Sequence, residues 1–339
     1  MRLMYLAVLS ILLLTACESE LPLPPGNGQP RVVVYSELTA GQPAEIRVGK
    51  SKIVAPGVDN SFDLVPDALV KILNRDSSLV ETLTFATDTS NRMSIYRGKV
   101  NLNPNTFYRV RVEVPGMRVV TSSTTIPSNL KVDLLDTSRT ILNGRPVLQF
   151  HLTIHPQPGQ RQYIVMEALK QSAQVDSFFT WNGVRYSVAA NEDLFDSVKG
   201  KPGVVISKDT TFLNDFLRIP CYTQDENADN NQIGGLNENY NSILFNQTSR
   251  PITTNLYINA TALSSNQVEA IAPKGRVLVY VKSVSSQYYD FLLTYEKVKR
   301  NPGLNSLIQA VQLRNNTSGG IGIVGGSNQV LYQLYYDEL

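Results

Sequence analysis

The sequence predicts a mainly β protein, with two immunoglobulin-like or transthyretin-like β-sandwich regions and a helix and strand near the C-terminus. Short apolar runs rich in Val, Ile, Thr and Tyr recur along the chain, and turn-forming residues separate them. Charged residues make up 18% of the 339 residues, and 21 Gly and 18 Pro favour turns over long helices. These observations exclude an all-helical or coiled-coil fold.

The first residues have the pattern of an export signal followed by a lipid-attachment cysteine. Residues 1–16 carry one positive charge and an apolar run too short to cross a bilayer, so they predict a cleaved signal peptide. Leu14-Thr15-Ala16-Cys17 resembles the lipobox of bacterial lipoproteins, in which the cysteine is acylated. We therefore expect Cys17 to carry lipid chains that anchor the protein. The alternative is an ordinary secretory signal with a chance cysteine.

Residues 17–30 follow the lipobox and are rich in Pro and Gly. A segment of this composition cannot bury a core, and it predicts a flexible tether between the lipid anchor and the folded regions. The protein is therefore expected to be tethered to a membrane rather than to span it.

The first folded region covers 31–127. Ala44–Val48 alternates apolar and polar residues, which is typical of a strand with one buried face. Asn103–Tyr108 resembles the turn and tyrosine-bearing strand of immunoglobulin-like and transthyretin-like domains. Pro127 disfavours helical backbone at the preceding residue, and we place a domain boundary there. Further strands are predicted at 31–36, 67–73, 81–85, 94–97, 106–114 and 118–124.

The second region covers 128–339 and has longer, less regularly spaced strands. Two excursions, 171–203 and 211–240, separate them, and long loops in a compact domain are either functional or disordered. A ligand site is expected in these excursions. Strands are predicted at 146–155, 162–169, 204–206, 242–245, 254–259 and 276–283.

A helix and a strand are predicted near the C-terminus. Ser285 or Ser286 can cap a helix over 286–298, and Asn301-Pro302-Gly303 ends it. One stripe of this helix, at positions i, i+3, i+4 and i+7, is predicted to face the core: Tyr288, Phe291, Leu292 and Tyr295. The segment 329–335 alternates in polarity and predicts a terminal strand with Val330, Tyr332 and Leu334 on one face.

Few residues could carry metal or redox chemistry. The two His and two Cys cannot form a zinc cluster or a disulfide scaffold, and Cys221 is expected to be a buried structural thiol. His151 and His155 lie on one strand face without a third ligand in the sequence, so two ordinary strand histidines are predicted.

The loop around Asp225, Asn227 and Asp229 spaces oxygen ligands like the start of a calcium loop. Asn230 and Leu236 occupy positions where such a loop needs Gly and Glu. The three residues are therefore a weak calcium candidate, with a solvated loop as the alternative.

Gly319–Gly326 is rich in glycine but lacks the Lys-Ser/Thr of a phosphate loop. Close backbone packing or a bulged strand is predicted there instead.

The remaining candidate site is aromatic and lies in the first excursion. Phe178, Phe179, Trp181 and Tyr186 include the single Trp of the chain. Aromatic side chains on a surface loop can stack on a ligand or anchor a protein partner. The alternative is that they form a hairpin edge packed on the second sandwich.

Several segments together resemble the DUF4249 family of Bacteroidetes lipoproteins. They are the lipobox, RVVVYSELTAGQPAEIRVGKS, DALVKI, NPNTFYRVRVEVPGMRVVTSSTTIP, VSSQYYDFL and NNTSGGIGIVGG. The tail of the family carries a glycine pattern that aligns with Gly319, Gly320 and Gly322, while Val324 replaces an aromatic residue. The resemblance implies an accessory partner of a TonB-dependent outer-membrane transporter, without a defined activity.

The expected location is the outer membrane, through the lipid anchor. Glu18 and Glu20 resemble the signal that sends Bacteroidetes lipoproteins to the cell surface, but a merely solvated tether explains them equally well. Exposure at the cell exterior and a periplasmic orientation both stay open.

The predicted function is that of a non-catalytic binding or accessory module that handles an extracellular ligand without a cofactor. No nucleophile, base or metal motif is present that would predict an enzyme. The net charge of +2, without a basic stripe, argues against a nucleic-acid partner. A structural or adhesive surface protein without a small ligand is the alternative.

Overall fold

The computed structural model describes residues 29–52, 62–86, 93–230, 240–260, 275–300 and 313–335. The predicted signal peptide, Cys17 and most of the tether lie outside these ranges. The described part is mainly β with two helices, as predicted. None of the described helices combines the length and the apolar character needed to cross a membrane.

Within the described ranges the chain forms 21 strands and two helices. The strands of the first region are β1 (Val32–Thr39), β2 (Pro43–Lys50), β3 (Asp63–Leu64), β4 (Leu69–Leu73), β5 (Leu79–Thr82), β6 (Thr84–Ala86), β7 (Ser94–Asn101), β8 (Phe107–Glu113) and β9 (Val120–Thr125). They are followed by β10 (Lys131–Leu142), β11 (Arg145–His155), β12 (Gln162–Trp181), β13 (Val184–Ser187), α1 (Glu192–Val198), β14 (Val205–Phe212), β15 (Leu217–Ile219) and β16 (Cys221–Tyr222). The last elements are β17 (Ser242–Thr248), β18 (Ile252–Asn259), β19 (Gly275–Val284), α2 (Ser286–Arg300), β20 (Thr317–Ser318) and β21 (Ile321–Tyr335).

One open sheet runs through the described structure in the order β13-β12-β19-β21-β1-β2-β7-β6. Strands β14, β15 and β17 also pair with β12, and β3 pairs with β2. A sheet of order β20-β9-β8-β4-β5 and another of order β10-β11-β18-β16 are separate from it. The large sheet shares one apolar core with each small sheet, so two sandwiches have a sheet in common. The predicted sandwich layout is confirmed.

The two cores arise from the period-two alternation of the strands. Strand β1 buries Val32, Val34 and Leu38 in the first core, and β8 alternates in the same way. The second core includes Phe150 of β11 and Met166 of β12.

Strand β21 belongs to both sandwiches. Its first half runs parallel to β1, from the pair Val33–Ile321 to the pair Thr39–Ser327. Its second half is antiparallel to β19, from Val284–Ser327 to Arg276–Tyr335. The predicted terminal strand is therefore confirmed, and Val330, Tyr332 and Leu334 pack against the second core as expected.

The division into domains 31–127 and 128–339 stays a prediction. The structure adds that two pieces of the predicted second domain pair within the first sandwich. These are β20, which pairs with β9, and the first half of β21, which pairs with β1. Some strand pairs therefore join residues on opposite sides of the predicted boundary at Pro127.

The glycine-rich segment packs closely, as predicted. Gly322 has φ +135°, and a Cβ there would collide with the carbonyl of Val34 on β1. A Cβ on Gly325 would overlap the ring of Tyr288, which lies directly on this part of the strand. The glycines therefore allow β1 and α2 to approach β21 from two directions.

The predicted helix is confirmed as α2, but its buried stripe is rotated from the predicted one. Tyr289 and Glu296 are buried together with Tyr288 and Leu292, whereas Tyr295 is 41% exposed. The reason is that the ring of Tyr289 packs on Tyr163 of β12, with a centroid distance of 4.9 Å. This contact turns the opposite edge of the helix away from the sheet.

The first excursion is mostly regular structure, so the prediction of a long loop there was wrong, whereas the second contains only short strands in its described part. Strand β12 continues to Trp181, and β13 and β14 pair with its second half. In the second excursion β15 pairs with β12, and β16 pairs with β18. The chain thus places strands where an irregular loop was expected.

Removal of residues 327–339 is predicted to destabilise the protein by several kcal/mol. The truncation strips Val330, Tyr332 and Leu334 from the second core and exposes an edge of β19. At roughly 2–4 °C per kcal/mol, thermal denaturation should show a large drop of the midpoint. Truncation after Tyr335 keeps β21 whole and is the control. A midpoint within about a degree of that control would contradict the prediction.

Candidate functional site

The predicted aromatic site lies on the hairpin of β12 and β13. Phe179 is fully buried, and its ring packs on Tyr186 at 5.3 Å and on Phe195 of α1 at 5.2 Å. The guanidinium of Arg185 lies 4.0 Å from the centre of the Phe178 ring. Trp181 is half-buried where β12 ends. These contacts favour a packing role in the hairpin and α1, and a role in binding stays a prediction.

The calcium candidate residues are engaged by protein donors. The Oδ1 atom of Asp225 accepts hydrogen bonds from the backbone N of Asn227 at 2.9 Å and from its Nδ2 at 2.8 Å. The Tyr289 hydroxyl donates to Oδ2 of Asp229 at 2.5 Å. Across the described ranges, no group of three or more His, Cys, Asp or Glu side chains could hold a metal ion. The structure thus gives the calcium hypothesis no support.

The histidines and the cysteine also have structural surroundings. Nδ1 of His151 lies 2.6 Å from Oδ1 of Asn255, and Nε2 of His155 lies 2.9 Å from Oδ2 of Asp133. Cys221 is fully buried, and burial raises the pKa of its thiol far above the ordinary value. A thiol in this state does not supply a thiolate nucleophile.

An apolar cavity of about 820 Å³ lies between α2 and the paired strands β1 and β21. We call it the aromatic cavity. Val33 of β1 and Ile323 of β21 belong to its lining. Phe62, Tyr295 and Leu313 also line it and are 38%, 41% and 43% exposed, so apolar surface continues to the cavity mouth.

The wall formed by α2 is a row of stacked rings. Phe291 lies between Tyr288, at a centroid distance of 6.2 Å, and Tyr295, at 5.9 Å. The planes of the Phe291 and Tyr288 rings differ by 7°, and those of Phe291 and Tyr295 by 20°. Tyr35 of β1 approaches Phe291 at 6.2 Å from the sheet. The rings form a flat apolar surface suited to an aromatic or aliphatic ligand.

A buried ion network lies next to this aromatic wall. The Tyr288 hydroxyl donates to Oε2 of Glu37 at 2.9 Å, and Nζ of Lys282 lies 2.9 Å from Oε1 of the same carboxylate. Lys282 also pairs with Glu167, whose Oε2 lies 2.5 Å from Nη1 of Arg218. The network therefore joins β1, β19, β12 and β15 to the helix.

The surroundings keep this network charged. Burial pushes the pKa of Glu37 upward, but the ammonium of Lys282 and several hydrogen bonds outweigh burial and lower it. Burial acts to lower the pKa of Lys282, and the charges of Glu167 and Glu37 raise it above the ordinary value. Burial, followed by the charge of Glu37, raises the pKa of Tyr288, so its hydroxyl stays a donor. A protonated, doubly paired lysine is not a nucleophile, and the network acts as a rigid polar support.

Sequence reasoning missed both the cavity and the network. It assigns the stacked rings to the core, because helical spacing alone does not show which stripe faces the sheet. One signal for the network was available: Glu37 and Lys282 are charged residues within the apolar strands VVVYSELT and GRVLVYVKSV. A charge in such a strand needs a buried partner.

Lys282→Met is predicted to lower the free energy of unfolding by about 3–5 kcal/mol, because it leaves the largely buried carboxylate of Glu37 without a cation and Glu167 with Arg218 alone. Urea denaturation at neutral pH measures the loss. The triple variant with Glu37→Gln and Glu167→Gln is the matched control, and it should recover most of the stability. A triple variant as unstable as Lys282→Met would contradict the assignment.

The same network predicts a pH dependence. The lowered pKa of Glu37 stabilises the fold above the ordinary value of 4.5, and this stabilisation is lost as pH falls through the lower folded-state pKa. The raised pKa of Lys282 stabilises the fold below the ordinary value of 10.5 and loses effect only above it. The stability advantage of the native protein over the triple variant should therefore shrink in acid. An advantage that is constant down to acid unfolding would contradict this.

Comparisons with known proteins add the family but little more. A search of curated proteins finds no match. Among solved structures, Escherichia coli alpha-2-macroglobulin activated by porcine elastase shares 8% identity and a TM-score of 0.20, over 76% of this chain and 19% of that one. This chain thus spans about a fifth of the macroglobulin.

Two further solved structures show equally weak likeness. The Enterococcus faecalis MSCRAMM ACE shares 10% identity and a TM-score of 0.17, over 88% of this chain and 93% of that one. The structure of manganese lipoxygenase of Gaeumannomyces graminis with partial zonadhesin of Komagataella pastoris shares 9% identity and a TM-score of 0.18, over 90% and 94%. These TM-scores support no argument about function.

The sequence itself gives a clear assignment. The profile of DUF4249, described as a domain of unknown function, matches residues 18–333. This range covers nearly the whole chain, including every residue of the aromatic cavity and of the buried ion network. The chain therefore belongs to the DUF4249 family.

Proposed function

We propose that this protein is a non-catalytic binding module of the bacterial cell envelope that holds a small ligand in the aromatic cavity. The observation that carries the proposal is the cavity itself, of about 820 Å³, whose lining is mostly apolar and includes apolar residues at its mouth. Ligand pockets commonly measure about 300–1,000 Å³ and are mostly apolar with a few fixed polar groups.

The chemistry around the cavity supports binding rather than catalysis. Lys282 and Glu37 form an ion pair with each other, and the Tyr288 hydroxyl donates a hydrogen bond to Glu37. The Cys221 thiol is buried and stays protonated. An enzyme would need a nucleophile or base with free access to the ligand, whereas these groups hold the wall of a preformed pocket in place.

The lipid anchor and the transporter partner belong to the same proposal. The lipobox supports attachment of Cys17 to the outer membrane. The family resemblance supports a role as an accessory partner of a TonB-dependent transporter. In this arrangement the module captures an extracellular ligand close to the transporter. Orientation toward the cell exterior is part of the proposal.

A structural or adhesive role without a small ligand is the second candidate. One observation favours it: β10 is an edge strand, and Leu135 and Ile141 on it are 53% and 74% exposed. An exposed apolar edge strand can pair with another chain.

Cys17→Ser is predicted to leave the protein unacylated and released from membranes. The cysteine thiol is the expected acyl acceptor, and the other cysteine, Cys221, is buried. Cells labelled with a palmitate analogue should show the label on the native protein and none on the variant. Cys221→Ser is the control and should stay labelled. Equal labelling of native protein and Cys17→Ser would contradict the anchor.

The binding role is tested on the full-length protein extracted from its membrane in mild detergent. Native mass spectrometry should show the chain with a bound small molecule, together with a transporter of the TonB-dependent class. Val33→Trp is predicted to abolish the small-molecule adduct, since Val33 is half-buried in the cavity lining and an indole would fill the space.

Val205→Trp is the matched control because Val205 is 63% exposed on β14 and does not line the cavity. It should keep the adduct and the melting midpoint of the native protein. A native protein without any adduct, or an adduct that survives in Val33→Trp with an unchanged mass, would contradict the binding role. A transporter retained without an adduct would favour the structural candidate.

A further inference from the structure

We infer that the ligand of the aromatic cavity is an amphiphile with an apolar body and one anionic group, and that Arg314 and Lys299 receive the anionic group. This inference rests on the proposed binding function and specifies its ligand class.

The cavity lining carries three cationic side chains and one carboxyl group. The cations are Arg218, Lys299 and Arg314, and the carboxyl group belongs to Glu296. The balance of formal charge therefore favours an anion over a cation. All other lining side chains are uncharged.

The three cations differ in what they already bind. Arg218 is paired with Glu167 at 2.5 Å and belongs to the buried ion network. Lys299 donates to the neutral Oδ1 of Asn241 at 2.7 Å, so its positive charge is not compensated by that contact. The guanidinium of Arg314 makes no hydrogen bond or ion pair with any residue in the described ranges. Arg314 is thus the principal cation available to an anion, and Lys299, whose charge also acts on Glu296, is the second.

Glu296 does not oppose an anion strongly. It is 3% exposed, and its Oε1 accepts a hydrogen bond from the Ser242 hydroxyl at 3.2 Å. Burial raises the pKa of this carboxyl group, although its hydrogen bonds and the charges of Lys299 and Arg218 act to lower it. Its location in the helix interface also keeps it away from solvent at the mouth.

The position of the cations sets the orientation of the ligand. The backbone N of Arg314 donates to Oγ1 of Thr294 at 3.3 Å, which places Arg314 beside the second half of α2. Lys299 lies on the last turn of the same helix, and both side chains are exposed. The anionic group of the ligand therefore stays at the solvent-exposed end of the cavity, where it loses little hydration. The apolar body of the ligand lies on Phe291 and Tyr288.

The test compares two probes that differ only in charge, 1-pyrenebutyrate and 1-pyrenebutanol. The full-length protein is placed in nanodiscs of neutral phospholipid, and empty nanodiscs are titrated in parallel to subtract partition of pyrene into lipid. The butyrate is expected to bind at least about tenfold more tightly than the alcohol, because its carboxylate makes a charge-assisted hydrogen bond that the alcohol cannot make.

Arg314→Gln should remove this preference. The variant is expected to weaken butyrate binding about tenfold and to leave alcohol binding within about twofold. Lys208→Gln is the matched control, since Lys208 is an exposed lysine on β14 outside the cavity, and it should change neither affinity. Val33→Trp should abolish binding of both probes.

Each result has a distinct meaning. If neither probe binds the native protein, both the proposed function and this inference are overturned. If both bind equally, or if Arg314→Gln lowers both affinities alike, the binding role stands and the anionic ligand class is overturned. Butyrate binding that survives in Val33→Trp would place the anion elsewhere on the surface and overturn the inference. Loss of binding through dimer formation would assign the cavity to a second copy of the chain, which also overturns the inference.

Discussion

The double pairing of β21 is the constraint on which the rest of the structure depends. One 15-residue strand must lie parallel to β1 in its first half and antiparallel to β19 in its second half. A single error of register would turn its apolar side chains away from both cores at once. The same constraint explains the glycines of the first half. The ring of Tyr288 on α2 packs against β21 at Gly325, where a side chain would occupy the space of the ring. The aromatic cavity exists because the helix is held above β1 and β21 in this way.

The buried ion network also connects the two sandwiches, through ion pairs. Glu37 lies on the first sandwich, whereas Lys282 and Glu167 lie on the second. The Lys282–Glu37 pair crosses β21, and the Lys282–Glu167 pair joins the adjacent strands β19 and β12. Buried ion pairs contribute little net stability compared with apolar packing, but a wrong register would leave each charge buried and alone. The network therefore selects one alignment of the two sandwiches. It also fixes Tyr288, and with it one end of the aromatic wall.

The sequence predicted the family, the β class, the helix and the terminal strand, because each depends on local periodicity or on a contiguous motif. It did not predict the second half of β12, since a strand such as QSAQVDSFFTW, with polar residues at many positions, has no single apolar face. It also missed the cavity, which joins Tyr35 to Phe291 and Ile323 across more than half of the chain. Contacts at this separation depend on topology, and a single sequence does not reveal them.

The parallel contact of β1 with β21 has a consequence for biogenesis. Among the described strands, the first is completed by the last, because the residues that pair with Val33–Thr39 lie at 321–327. Closing so long a loop to form this contact slows folding. During synthesis one edge of β1 therefore stays uncovered until residues 321–327 have been made, and an unpaired apolar edge is prone to association with other chains. The nascent chain should therefore depend on chaperones that hold unfolded chains for longer than a domain whose neighbouring strands are adjacent in sequence.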